Sequence, residues 1–266
     1  MDATYRQELE MAKRVQEGLL SVKSPDVEGI RIAKRCIPAE SVGGDFYTFG
    51  SSISNSTEQK SKLPGVIEYT DSREALLSAV IGDVAGHGVS SALVMALSSG
   101  ILTEISKNTK SPSEALRLAN NTLLTYIENS QIRYVTACYV VFHVWSKRLS
   151  WASAGHPAPI LVRPKEPLKE LSGSGLILGM YPNETYTDGH IYVQPNDKIV
   201  LYTDGLTETR NSKGELFGID RLKWCLETHT NLNADDLLEE VFIAIHHFSE
   251  NQRLTDDQTL VILEAL

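Results

Sequence analysis

Four aspartates stand where an apolar run meets glycine or a second acid. Asp45 lies in Val42-Gly-Gly-Asp-Phe-Tyr47, Asp83 in Ala79-Val-Ile-Gly-Asp-Val-Ala-Gly-His-Gly88, Asp204 in Ile199-Val-Leu-Tyr-Thr-Asp-Gly205, and Asp256 opens the Asp256-Asp257 pair ahead of an apolar C-terminal run. A carboxylate at the end of a buried strand is costly unless something offsets its charge, and a flanking glycine lets a ligand approach the backbone. One Asp-Gly is usually a turn. Several at strand ends, where a fixed scaffold presents ligands, point to a shared cation or phosphate site. A site built from carboxylates without Cys or His suits Mg²⁺ or Mn²⁺ better than zinc. His87 and His156, each beside a glycine, are candidate proton donors, with hydrogen bonding inside their own loops the favoured role for both. Neither has the Ser-His-Asp company of acyl transfer, and there is no GxxxxGK[ST] motif for nucleotide phosphates.

The elements that must position these residues can be read from periodicity. Residues 1–22 form an amphipathic helix with Leu9, Ala12, Val15 and Leu19 as its stripe, stopped by Ser24-Pro25. Strands are expected at 30–37 and 46–49, followed by a polar surface loop over 51–62. Residues 66–69 and 76–84 then read as a hairpin across Asp71-Ser72-Arg73. Helices follow at 90–105 and after Ser111-Pro112-Ser113-Glu114, which has the pattern of a capping box. Residues 134–144 alternate with both faces largely apolar, the mark of a central strand covered on both sides. Further strands (149–154, 159–162, 191–193, 198–203, 258–263) and helices (218–227, 233–248) complete a pattern of two sheets with helices outside.

Composition narrows the function. The 266 residues carry a formal net charge of −9, with no basic cluster to bind nucleic acid. Cys36, Cys138 and Cys225 are far apart and form no CxxC, so neither a disulfide framework nor a zinc site is indicated. With no N-terminal apolar segment and no long uncharged apolar run, the chain reads as cytoplasmic, with no membrane span.

Taken in order, the motifs resemble the SpoIIE-like (RsbU-like) branch of the PPM, or type 2C, metal-dependent protein phosphatases. They are Glu10-Met-Ala-Lys-Arg-Val-Gln-Glu-Gly-Leu-Leu20, Pro38-Ala-Glu-Ser-Val-Gly-Gly-Asp-Phe-Tyr47, Gly82-Asp-Val-Ala-Gly-His-Gly88, Ser153-Ala-Gly-His-Pro157, Leu178-Gly179, Tyr202-Thr-Asp-Gly-Leu-Thr-Glu208 and Asp256-Asp-Gln-Thr-Leu-Val-Ile262. The resemblance implies an α+β fold, a four-layer αββα sandwich of two mainly antiparallel sheets, over residues 25–266, preceded by a linker or regulatory helix at 1–24. It also implies two Mn²⁺ or Mg²⁺ ions. Asp83 would bridge them, Asp45 and the Val84 carbonyl would complete one site, and Asp204 and Asp256 the other, with Asp83 and Asp204 the catalytic carboxylates. Asp256 is preferred to Asp257 because the family uses the first acid of this pair.

The implied reaction is hydrolysis of phosphoserine or phosphothreonine by a metal-bridging water, on a STAS-type anti-anti-sigma or similar partner-switching protein. Residues 5–22 would serve a homodimer or a sensor partner, either an isolated catalytic segment or a chain whose sensor is a separate subunit. A pseudophosphatase that sequesters a signalling partner is the alternative, and it would be expected to have lost one of the carboxylates. The family motif usually continues with an acid where this chain has Thr48, which bears on any outer-shell or third-metal role there.

Overall fold

The strand from Val135 to His143 shows why the chain stacks in layers. Its odd-numbered residues, Val135, Ala137, Tyr139 and Val141, bury against helices, while Cys138, Val140 and Phe142 bury against a second sheet. A strand apolar on both faces needs cover on both. The computed structural model describes residues 3–21, 24–63, 66–128 and 134–266. In chain order they form α1 (Ala3–Leu20), β1 (Ile30–Ile37), β2 (Phe46–Leu63), β3 (Val66–Val84), α2 (Val89–Ser106), α3 (Pro112–Ile127) and β4 (Val135–His143). Then follow β5 (Arg148–Ala154), β6 (Ile160–Val162), β7 (Lys169–Glu170), β8 (Gly189–Tyr192), β9 (Lys198–Tyr202), α4 (Asp204–Glu208), α5 (Gly218–Thr228), α6 (Ala234–Ser249) and β10 (Gln258–Ala265).

Two five-stranded sheets result, ordered β1-β10-β9-β6-β7 and β2-β3-β4-β5-β8, with neighbouring strands antiparallel throughout. Ile199, Leu201, Val261 and Leu263 face Leu77, Ile81, Val140 and Leu149 between the sheets. On the outside, Val200, Leu260 and Ile262 pack on Leu222, Leu226, Leu238 and Val241 of α5 and α6, and α2 and α3 cover the other sheet through Met95, Leu102, Leu116 and Leu123. The order is therefore helix, sheet, sheet, helix, as expected. Each such aliphatic side chain contributes roughly 1.5–3 kcal/mol when fully buried.

Several expectations are corrected. The 51–62 segment is strand, and Asp71-Ser72-Arg73 is not a turn: β2 and β3 pair continuously from Phe46↔Gly82 to Lys60↔Glu68, and pairing resumes at Leu63↔Val66. Pro64-Gly65 lies outside the described residues. β4 pairs with Leu76–Val84 of β3, while the outer part of the β2–β3 hairpin is paired strand to strand. In α1 the inward face runs Leu9, Ala12, Gln16 and Leu20, whereas Val15 and Leu19 are exposed with Met11.

At α3, Ser111 Oγ accepts from the Glu114 N–H, but the Glu114 carboxylate takes two bonds from Arg117 instead of returning to the cap. Only half of the capping box forms. By length and composition α2 could cross a membrane, contrary to the expectation that no run in the chain is long and apolar enough. Here it lies on the sheet with Ser91, Met95, Ser98 and Leu102 buried.

Candidate active site

Strand ends bring the four aspartates together. Asp83 follows Gly82, which pairs with Phe46, the residue after Asp45. In the other sheet, Asp204 comes two residues after Tyr202, which pairs with Leu260, and Asp256 lies just before the same strand, β10. A short relay joins the sheets: the Thr259 N–H donates to Thr203 Oγ1 (3.0 Å), and Thr203 Oγ1 donates to Asp45 Oδ2 (2.7 Å). Gly44 lies so close to the second ligand segment that a Cβ there would stand 2.7 Å from the Val84 carbonyl oxygen and 3.3 Å from Asp83 Oδ1.

The electrostatics follow from this crowding. Burial, then the Asp83 charge, pushes the Asp45 carboxyl well above the usual range. Asp83 is pushed up to about 7, by burial and then by Asp204, Asp256 and Asp257, with a hydrogen bond from Val84 pulling the other way. Asp204 is raised by burial and by Glu208, and Asp256 by burial and by Asp204 and Asp257, partly offset by the hydrogen bond from the Asp257 backbone N–H and by nearby His87. Opposite charge is what such a cluster lacks.

The residues fit hard divalent cations. All the side-chain donors are carboxylates, a backbone carbonyl sits among them, and their shared acidity problem is removed when a cation takes the place of protons. Among the described residues no three His, Cys, Asp or Glu side chains are drawn into a closed cage. The carboxylates stand near enough to raise one another.

Asp256 and Asp257 occupy different environments. Asp256 Oδ1 accepts from the Asp257 N–H, at 2.9 Å. The Asp257 carboxylate accepts from the N–H groups of Ala39 (2.8 Å), Gly44 (2.7 Å) and Asp45 (3.2 Å). On the opposite side of this loop Gln16 of α1 bonds both ways to Gly43: its Nε2 donates to the Gly43 carbonyl at 2.7 Å, and its Oε1 accepts from the Gly43 N–H at 2.9 Å.

The two histidines separate as well. His156 is buried, exchanges a 2.9 Å hydrogen bond with Thr136 Oγ1, and its loop is stapled by Ser153. Burial drops its pKa to about 3, although the nearby Tyr202 backbone favours the charged ring. Its Nε2 reaches no partner at hydrogen-bond geometry, and a neutral ring held this way is a loop element. His87 is exposed at the mouth, 3.5 Å from a Glu40 carboxylate oxygen. Thr48 points away from the aspartates, buried against α2 with its Oγ1 2.6 Å from Thr103 Oγ1.

Gln16, Thr203 and Glu40 were not singled out by sequence reasoning, and Asp257 entered it as the acid passed over for Asp256. Only Gln16 left a readable sign, a polar residue in register with Ala12 and Leu20 on the inward face of a helix.

A two-sheet αββα sandwich with acids gathered at one end of its strands defines the type 2C class of metal-dependent protein serine/threonine phosphatases. Within that class, the family model for Stage II sporulation protein E (SpoIIE) matches residues 73–266, and the chain belongs to the SpoIIE family. It is 26% identical to phosphoserine phosphatase RsbU of Bacillus subtilis over 259 residues, covering 97% of this chain and 70% of that protein. It is 27% identical to protein IcfG of Synechocystis over 272 residues, covering 91% of this chain but only 39% of that longer protein. Among solved structures, the SiaA-PP2C domain of Pseudomonas aeruginosa superposes with a TM-score of 0.76 at 20% identity, covering 99% of both chains.

Proposed function

We propose that this chain hydrolyses phosphoserine or phosphothreonine on a STAS-type partner-switching protein in the cytoplasm, with two Mn²⁺ or Mg²⁺ ions at the aspartate cluster. The name phosphoserine phosphatase carried by RsbU supports the substrate class. Asp83 would hold both ions, Asp45 and the Val84 carbonyl one of them, and Asp204 with Asp256 the other. Bound there, divalent cations supply an activated water and neutralise the phosphoryl oxygens. The chain's own part is positional. Thr203 fixes Asp45 Oδ2, Asp257 and Gln16 hold the Gly43-Gly44-Asp45 loop from two sides, and burial keeps bulk water from screening the carboxylates. Of the two motif histidines, His87 is the one at the mouth, where a leaving seryl oxygen can be met.

The observation that carries this reading is the convergence of four carboxylates from both sheets, each raised by burial and by like charge. The deciding assay is phosphate release from a serine-phosphorylated STAS-domain protein with Mn²⁺, with chelator, and in the Asp83→Ala and Asp204→Ala variants. Turnover that survives chelation, or full activity in either variant, refutes the two-metal scheme. The reading also gives α1 a regulatory or dimerising role, through its docking on Gly43 and its exposed Met11, Val15 and Leu19. Removing residues 1–24 should change particle mass or phosphatase rate; if both stay the same, that role is wrong.

A further inference from the structure

Resting on the cation-site reading above, we infer that Asp257 is a positioning residue of that site: its carboxylate clamps the Ala39–Asp45 loop so that Asp45 is presented to the cation. Both of its oxygens are committed. Oδ1 accepts from Ala39, and Oδ2 from Gly44 and Asp45. Three N–H groups therefore turn the positive ends of their dipoles toward this one carboxylate. That neutralises it locally and disfavours a cation on the same oxygens. Among the described residues, the Asp256 carboxylate accepts from the N–H of its own neighbour alone.

The packing around Asp257 requires glycine on two separate segments. A Cβ at Gly43 would run into the Asp257 carboxylate, and a Cβ at Gly205 into the Asp257 carbonyl, with Asp256 Cβ at 3.3 Å. Two segments that carry proposed ligands thus pack on Asp257, 39–45 on its carboxylate and 204–205 on its backbone carbonyl, next to Asp256. Without the carboxylate, three backbone donors lose their acceptor at once. The Asp45 backbone then loses this hold, while its Oδ2 keeps the bond from Thr203.

Groups that orient metal ligands typically cost 10–100-fold in metal affinity when removed. Calorimetric titration of Mn²⁺ into the metal-stripped full chain should therefore show about 10–100-fold weaker binding for Asp257→Asn than for wild type. Excess Mn²⁺ should recover turnover of p-nitrophenyl phosphate in that variant. Gly43→Ala, which displaces the clamp without touching its charge, should weaken binding in the same direction and settles the matter if Asp257→Asn proves unfolded by circular dichroism. Two results overturn the inference: Asp257→Asn binding Mn²⁺ as wild type does, or losing it as completely as Asp204→Asn with no recovery in excess, which would make Asp257 a ligand. A wild-type chain that binds no Mn²⁺ fails differently, since it removes the cation site itself.

Discussion

Replacing Gln16 with alanine tests whether the N-terminal helix is coupled to the aspartate cluster. The side chain is 6% exposed and makes two buried hydrogen bonds to one peptide, at 2.7 and 2.9 Å. Each is worth about 0.5–1.5 kcal/mol net, and each Gly43 group left without a partner costs about 1–3 kcal/mol if water does not reach it. With partial access of water, a loss of about 2–4 kcal/mol is expected, or roughly 5–10 °C in melting temperature for a domain of this size. Because Gly43 is two residues from Asp45, the Mn²⁺ concentration for half-maximal turnover should rise together with the loss of stability. Gln16→Glu, which keeps the acceptor for the Gly43 N–H but loses the donor to its carbonyl, should fall between. Thermal melting in chelator and a Mn²⁺ titration of aryl phosphate turnover provide both readouts. A Gln16→Ala variant that melts within a degree or so of wild type with unaltered Mn²⁺ dependence would refute the coupling.

Three further outcomes are expected. In chelator, stability should fall as pH rises from about 4 towards 7, because folded Asp83 keeps up to about pH 7 a proton that the unfolded chain gives up near 3.8; the folded state binds more protons in that window, so the slope is negative. The wild-type curve should lose on the order of 4 kcal/mol across it relative to Asp83→Asn, and a flat difference between the two denaturation series would contradict the raised Asp83. His156, neutral from about pH 5 to 8 with its pKa near 3, should leave the limbs of the pH–rate profile in place when changed to Gln, even if the protein melts lower; a limb that vanishes would assign it a proton. Thr48→Asp should restore no metal function, since the side chain faces Thr103. It should destabilise the fold by about 2 kcal/mol or more through an unpaired buried carboxylate, which urea titration would measure alongside an unchanged Mn²⁺ dependence.

The layers were legible because burial writes itself into period. Both faces of 134–144 are apolar, so a sheet covered on both sides could be read directly, and the aspartates stood out as charges where such runs end. Ser51–Lys62 was illegible because its run of Ser, Asn, Thr, Gln and Lys carries no apolar period, so a strand paired through its backbone reads as a loop. The stripe of α1 was misassigned because Val15 and Leu19 are as apolar as a core pair, while the residue that points inward is a glutamine. Asp256 and Asp257 cannot be told apart by composition. The distinction lies in three N–H groups 212–218 residues away in the chain, a contact that exists only after the two sheets have closed.

That closure bears on how the site can be controlled. Asp45 and Asp83 belong to the sheet under α2 and α3, and Asp204 and Asp256 to the sheet under α5 and α6, so the acids come within reach of one another only across the sandwich. The α1 hydrogen bonds described here fall on the first half alone, at Gly43 from Gln16 and at Tyr47, whose hydroxyl donates to the Leu20 carbonyl at 2.8 Å. A shift of α1 therefore bears first on Asp45, which the Thr203 and Asp257 hydrogen bonds link to the segments of Asp204 and Asp256. A helix placed in this way can change how well one side of the site holds a cation while the other side keeps its geometry, which is the asymmetry that a graded switch, as opposed to simple unfolding of the site, requires.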